Sequence, residues 1–253
     1  MADLVYPPVI GLCRTAFVAL GMSVEVIGAE NVPRTGGAVL ASNHVSYLDF
    51  IFVGYAGWKS KRLTRFMAKD AVFRDRIGGP LMRGMHHIPV DREAGSASFR
   101  AAMQAVKARE VVGIFPEATI SRSFTVKDIK SGAVRLAQVT GAPLIPVAVW
   151  GGQRMFTKGR PKDLLSRGRH VLISVGEPIE APRRADGDEL TATLRRRMQE
   201  LLDDLQARTP EQPAPGEDAW WHPAHLGGTA PTPEEAAALD AAERQARTTT
   251  PDA

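Results

Sequence analysis

Cysteine, aromatic residues and long apolar runs are all scarce in this sequence. One cysteine, Cys13, in 253 residues excludes an intrachain disulfide and gives no basis for a cysteine-bound zinc site, which suits a reducing compartment. Aromatic residues make up 6% of the chain. The basic residues are not interleaved with exposed aromatics and no nucleic-acid-binding module is present, so nucleic acid is not an expected partner. A membrane-spanning helix needs about 20 consecutive apolar residues. The most apolar stretch, 5–22, is shorter and is interrupted by Arg14, with Pro7-Pro8 near its start. No lysine or arginine precedes it and no clear cleavage site follows, which argues against a secretory signal. It fits a helix lying in a membrane interface; the alternative is a helix packed on the protein's own core. There are no internal repeats.

What is present is a core-forming chain of uneven charge. Hydrophobic residues reach 44%, enough for one α/β domain or two small ones. The net charge is +4, but from residue 209 onward eight acidic residues face two basic ones, a net of −6 that leaves +10 on the remainder. A basic body suits an anionic partner such as a lipid surface or a phosphorylated substrate. Within it, 57–83 carries Lys59, Lys61, Arg62, Arg65, Lys69, Arg74, Arg76 and Arg83. That run reads as a solvated face or as a face toward anionic lipid.

Periodicity divides the chain into alternating elements. Strands are expected at 23–27, 38–41, 65–68, within 84–92, and at 111–115, 143–150 and 170–175. Pro89 marks the strand within 84–92 as an edge or a bulge. Helices are expected at 96–109, at 130–140 closed by Gly141, and at 188–208 with Leu190, Leu194, Met198, Leu201, Leu202 and Leu205 on the inner side. The pattern implies an α/β fold, a mixed, largely parallel sheet flanked by helices, with an N-terminal apolar helix at 1–22 and the main domain at 23–208. From 209 to 253 the chain is acidic and rich in proline and alanine. It reads as a mostly disordered tail with one short helix at 233–246, announced by Thr232-Pro233-Glu234-Glu235.

Two clusters carry chemistry. The first is Asn43-His44-Val45-Ser46-Tyr47-Leu48-Asp49, between the strand at 38–41 and an apolar helix. Ser46 with Asp49 three residues on is a capping-box signature that starts the helix at Ser46. Along one helix His44 and Asp49 would stand about 140° apart. With a loop between them, the carboxylate reaches back to the imidazole, fixes its tautomer and raises the basicity of the other nitrogen, as a general base requires. The alternative is that Asp49 is only a cap and His44 a polar loop residue. The second cluster, Phe115-Pro116-Glu117-Ala118-Thr119-Ile120-Ser121-Arg122-Ser123, places a carboxylate, hydroxyls and an arginine at a strand end, where α/β sheets bind ligands. Lys130 starts the next helix, and Arg92 ends another strand. If the strand ends lie together, Arg92, Arg122 and Lys130 converge on one phosphate. His86 and His87 read as structural or exposed, and Lys158, Arg160 and Lys162 as a solvated basic loop.

These blocks in this order, with Asp91-Arg92 and Pro143-Leu144-Ile145-Pro146-Val147, resemble the four-block pattern of the glycerolipid acyltransferases, the 1-acylglycerol-3-phosphate acyltransferase type. The likeness runs over about 24–179. The resemblance implies that His44 is the base that takes the proton of an acceptor hydroxyl and that Asp49 orients it. It implies that Arg92 binds the acceptor's phosphate and that Glu117, Thr119 and their loop hold the acceptor. The thioester would come from acyl-CoA or acyl carrier protein, the acceptor would be a lysophospholipid, and no bound cofactor, metal or acyl-enzyme is expected. The setting would be the cytoplasmic face of the cell membrane, as a peripheral protein. Two positions depart from the family's usual Phe-Pro-Glu-Gly-Thr-Arg-Ser block. Ala118 stands for the glycine and Ile120 for the arginine, which leaves Arg122 to replace the lost phosphate fork. The competing readings are a metal-dependent phosphohydrolase with His44, Asp49, Asp91 and Glu117 as ligands, and a lipid-binding protein of the same fold without catalysis.

Overall fold

The structure, a computed structural model, describes residues 3–91, 95–214 and 216–249. The chain opens with α1 (Tyr6–Ala19), β1 (Ser23–Ile27), β2 (Ala38–Ser42), α2 (Asp49–Lys59) and β3 (Thr64–Lys69), followed by two short helices, α3 (Asp70–Arg74) and α4 (Gly78–Gly84). Then come β4 (Ile88–Val90), α5 (Gly95–Lys107), β5 (Val111–Ile114), α6 (Gly132–Thr140), β6 (Leu144–Trp150), β7 (His170–Val175), α7 (Gly187–Arg208) and α8 (Pro233–Thr249).

The seven strands form one sheet in the order β1-β7-β6-β2-β5-β3-β4. Among the described residues only the β6–β7 strand pair is antiparallel. Strands in such a sheet are covered on both faces and read as continuous apolar runs. β2 is the clearest case, with all five residues buried. Its Val39 and Ala41 join the core that α5, α6 and α7 cover, and its Ala38 and Leu40 join the core on the other face with Phe52, Val53 and Ala56 of α2. On α7, Leu194, Met198, Leu202 and Leu205 are fully buried. Burial of such side chains is worth about 1.5–3 kcal/mol each, and the helix starts where Asp186 accepts the N–H groups of Asp188 and Glu189. Pro89 sits on the edge strand β4, where its missing N–H leaves no broken ladder. Gly141 ends α6 in the left-handed conformation, φ 68°.

Sequence periodicity does not resolve α3 and α4, which are too short to repeat a face. Their Phe73 and Met82 pack with Tyr6 and Ile10 of α1 in a third cluster. α1 therefore buries one stripe, while Leu12 and Val18, and Leu4 just before the helix, lie 71–80% exposed. Among the described residues no helix is long and apolar enough to cross a membrane.

The structure also differs from the expectation of a mostly disordered tail. Ala219, Trp221, His222, Ala230 and Ala236 are buried, and Trp221 joins the core under α7. Arg154 lies 4.2 Å over the Trp221 ring and Arg160 4.9 Å over Trp220. A few anchored side chains hold a segment that has no period for a sequence pattern to detect. α8 begins in a reciprocal capping box, with Thr232 N–H on Glu235 (2.9 Å) and Glu235 N–H on Thr232 Oγ1 (3.3 Å).

Candidate active site

The site lies at the carboxyl ends of β2 and β5, the central strands. Beyond Ser42, Asn43 continues the sheet with its side chain: Nδ2 donates to the Val149 carbonyl (3.0 Å) and Oδ1 accepts the Val149 N–H (2.7 Å). That amide holds the start of the His44 loop against β6, a role that hydrophobic patterning does not reveal. His44 follows, its ring stacked on Phe115 with centroids 4.4 Å apart. Its Nδ1 is 3.0 Å from Oδ2 of Asp49, and the same oxygen accepts the N–H groups of Val45 and Ser46 at 2.7 Å each. The loop folds back so that the two side chains meet.

α2 starts at Asp49, three residues later than the capping-box reading places it. The acidic half of the box forms. The Ser46 hydroxyl instead accepts from Leu48 N–H (3.1 Å) and donates to the Phe156 carbonyl (2.8 Å), which ties this loop to the one after β6. Asp49 is fully buried while the His44 side chain stays 20% exposed. Burial raises the Asp49 carboxyl above its usual range, against the opposing pull of His44 and the Ser46 and Val45 N–H groups. A carboxylate on Nδ1 sets the proton there and leaves Nε2 as the basic nitrogen.

Glu117 stands elsewhere than the acceptor-holding role implies. It is buried, with Oε1 accepting the His44 N–H (2.8 Å) and Oε2 the Lys127 N–H (3.1 Å). Its carboxyl is committed to backbone and clamps the Phe115–Lys127 loop to His44. Burial pushes its pKa up to about 8, despite the pull of the Lys127 and His44 N–H groups and the Lys127 charge. A group raised from an ordinary 4.5 to about 8 holds its proton longer in the folded state, so its contribution to stability is full below about pH 4.5 and is lost as pH rises through 8. Glu117→Gln is expected to flatten the fall in unfolding free energy between about pH 5 and 8. Denaturant titrations at several pH values check this; equal slopes for both proteins would contradict it.

A basic group surrounds that clamp. Lys127 Nζ contacts Thr119 Oγ1 (2.5 Å), and Arg122, Lys127 and Lys158 all reach Asp240 of α8. Thr119 and Arg122 thus join the site region. Lys127 escapes notice in the sequence because no block singles it out, and Lys158, expected to be solvated, is 14% exposed. Lys130 does not join: its side chain is exposed, and only its N–H takes part, on the Pro116 carbonyl (2.9 Å). Arg92 lies outside the described residues. His87 is a core residue whose Nδ1 accepts the Phe66 N–H (3.1 Å), and burial lowers its pKa to about 4, helped by the charge of Arg65. Among the described residues no three His, Cys, Asp or Glu side chains come together as metal ligands.

An acyltransferase family model matches residues 23–150, a span that holds both loops of the site. The 1-acyl-sn-glycerol-3-phosphate acyltransferase of Bacillus subtilis is 32% identical over 192 residues, 74% of this chain and 92% of that one. The chain belongs to the glycerolipid acyltransferase family. The Borreliella burgdorferi enzyme of the same name is 24% identical, with 74% of each chain covered. In fold, this acyltransferase is similar to the crystal structure of the lysophosphatidic acid acyltransferase PlsC from Thermotoga maritima, with a TM-score of 0.69, 23% identity and 81% of each chain covered.

The two departures from the family block now have physical consequences. Ala118 has φ 61°, the left-handed region that glycine occupies freely. A β-carbon there costs about 1–2 kcal/mol, partly offset by the greater chain entropy glycine loses on folding. Ala118→Gly is expected to raise stability by about 0.5–1 kcal/mol, read as a higher denaturation midpoint. An unchanged or lower midpoint would contradict strain at this position. Ile120 is 3% exposed, an apolar filler where the family block carries a guanidinium. Arg122, two residues on, points its guanidinium at Asp240 and Glu243.

Proposed function

We propose that this acyltransferase moves a fatty acyl group from a thioester of coenzyme A or acyl carrier protein to the free hydroxyl of lysophosphatidic acid, giving phosphatidic acid. The observation that carries the reading is the His44–Asp49 pair, buried on the carboxylate side and partly open on the imidazole side, in a chain whose relatives bear that activity's name. His44 Nε2 takes the proton of the acceptor hydroxyl as its oxygen attacks the thioester carbonyl. The tetrahedral intermediate collapses with loss of the thiolate, which leaves with the proton held by His44. Asp49 keeps Nδ1 protonated and stabilises the imidazolium. Glu117 is a positioning residue that fixes the His44 backbone. A thioester is already activated, so a base and good positioning supply most of what is needed, with general-base help worth about 10²–10⁴-fold and positioning adding to it.

Arg92 is assigned the acceptor's phosphate on its place in the family pattern. Support for a peripheral position on the cytoplasmic membrane face comes from the exposed Leu12 and Val18 of α1 and, just before α4, from Ile77, which is 77% exposed, and from Arg14 of α1, which lines one hollow with Lys59 and Lys61. A second acceptor class, a lysophospholipid with another headgroup, is favoured by one observation, the buried Ile120 in place of the arginine. The test is transfer from acyl-CoA and acyl carrier protein to a panel of lysophosphatidic acid, glycerol 3-phosphate and other lyso-lipids. Product from lysophosphatidic acid supports the reading. Product only from another acceptor moves the headgroup, and no product from any pair would overturn it.

A further inference from the structure

The basic group beside the site is already holding an anion, and that anion belongs to the chain itself. Arg122 Nε and Nη2 reach Asp240 Oδ1 (3.2 Å) and Glu243 Oε2 (3.0 Å). Lys127 Nζ reaches Asp240 Oδ2 (3.0 Å), and Lys158 Nζ reaches Asp240 Oδ1 (2.8 Å) and Glu243 Oε2 (2.6 Å). Asp240 and Glu243 are one turn apart on α8, so both face the cluster. Burial by itself would raise the Asp240 carboxyl; the bonds from Lys158 and Lys127 outweigh it and hold it at about 2.

Each base is wired to the catalytic loop. Arg122 follows Ser121, whose N–H donates to the His44 carbonyl (2.7 Å). Lys158 follows Thr157, whose hydroxyl donates to the Val45 carbonyl (2.7 Å). Lys127 gives its N–H to Glu117, which holds the His44 N–H. Three positive charges are thus tied to the His44 loop, two from the loop after β5 and one from the loop after β6, and they meet two carboxylates. A phosphate monoester carries about −1.5 to −2 at neutral pH and presents three acceptor oxygens, so it matches the pair in charge and in hydrogen-bonding capacity.

We propose that Arg122, Lys127 and Lys158 form a receptor for the phosphate of an anionic substrate head, and that Asp240 and Glu243 of α8 are its built-in competitor. This rests on the acyl-transfer reading for the identity of the substrate, not for the exchange itself. The attachment of α8 suits such an exchange. Upstream, the tail is anchored by Trp221 and His222 in the core. α8 itself buries Ala236 and Asp240 but leaves Leu239 47% exposed. An alanine-rich helix with so little apolar burial is marginal alone, so its ion pairs carry its docking. A substrate phosphate enters as α8 lets go, and the apparent affinity is reduced by the fraction of molecules with α8 docked. The phosphate belongs either to the acceptor or to coenzyme A, and kinetics separates the two.

The experiment uses the full-length protein and an Asp240→Asn/Glu243→Gln double variant. The first readout needs no activity: amide hydrogen exchange across α8 with inorganic phosphate, glycerol 3-phosphate or coenzyme A, at constant ionic strength set by chloride. Exchange is expected to rise saturably with a phosphate-bearing ligand and not with chloride, and Lys158→Gln is expected to remove that ligand response. The second readout is kinetic. In the double variant the KM of one substrate is expected to fall about 3- to 30-fold with kcat unchanged. If the acceptor's KM falls, the receptor holds the acceptor's phosphate; if that of acyl-CoA falls, it holds the donor's. Exchange in α8 indifferent to all three ligands, or both KM values unchanged or raised in the double variant, overturns the proposal. If no acyl transfer is found at all, the function fails separately and the exchange readout still decides the receptor.

Discussion

Replacing Asp49 by alanine is expected to remove measurable acyl transfer and to destabilise the fold by about 2–4 kcal/mol. One oxygen of this side chain serves His44 Nδ1 and the N–H groups of Val45 and Ser46, in a fully buried position. Alanine leaves two backbone donors without partners, each costing about 1–3 kcal/mol when buried. It also frees the imidazole to turn and to change tautomer. Asp49→Asn separates the two effects. An amide oxygen can still accept the backbone N–H groups, so most of the stability should remain. The charge that favours an imidazolium is gone, and turnover is expected to fall about 10²–10⁴-fold. Urea unfolding read alongside kcat checks both halves. An Asp49→Asn protein that turns over at the wild-type rate would remove the carboxylate from the mechanism.

His44→Ala should give the complementary result, with activity abolished and the fold kept. The His44 side chain is partly exposed and its backbone N–H on Glu117 survives the change. The change removes the ring stack on Phe115, worth about 1 kcal/mol, and the Nδ1 bond to Asp49, whose Oδ2 keeps the N–H groups of Val45 and Ser46. Acyl transfer is expected to drop by at least about 10²–10⁴-fold, the usual worth of a positioned base. A His44→Ala protein with a denaturation midpoint close to that of the wild type and no activity is the expected pair of observations. Failure of fold and activity together would show that His44 organises the loop as well as the reaction.

Much of the site is legible in the sequence because it depends on local order. The run before His44 is apolar on both faces, as a central strand must be, and the five-residue spacing to Asp49 leaves room for one loop to fold back. The sheet is legible for a similar reason, since each strand is a short apolar block between turn signals. Long-range pairing is not. Glu117 lies 73 residues from the His44 N–H it accepts, and nothing in the local pattern separates a carboxylate aimed at backbone from one aimed at substrate. Lys127 and Lys158 do not stand out as a pair because their common partner, Asp240, is more than 80 residues from either. A tail of proline and alanine without a period reads as mostly mobile, with Trp220 and Trp221 its only candidates for docking, on the core or in a lipid headgroup layer. The fold holds it through Trp221, His222 and charge, which only three-dimensional placement reveals.

The most direct test of His44 as the base of an acyl transfer is the rate from acyl-CoA to lysophosphatidic acid by the purified full-length protein, beside His44→Ala and with unfolding curves on both. Phosphatidic acid is expected from the wild type and at most a trace from the variant, with both proteins folded. Equal rates from the two would contradict that role and take His44 out of the reaction.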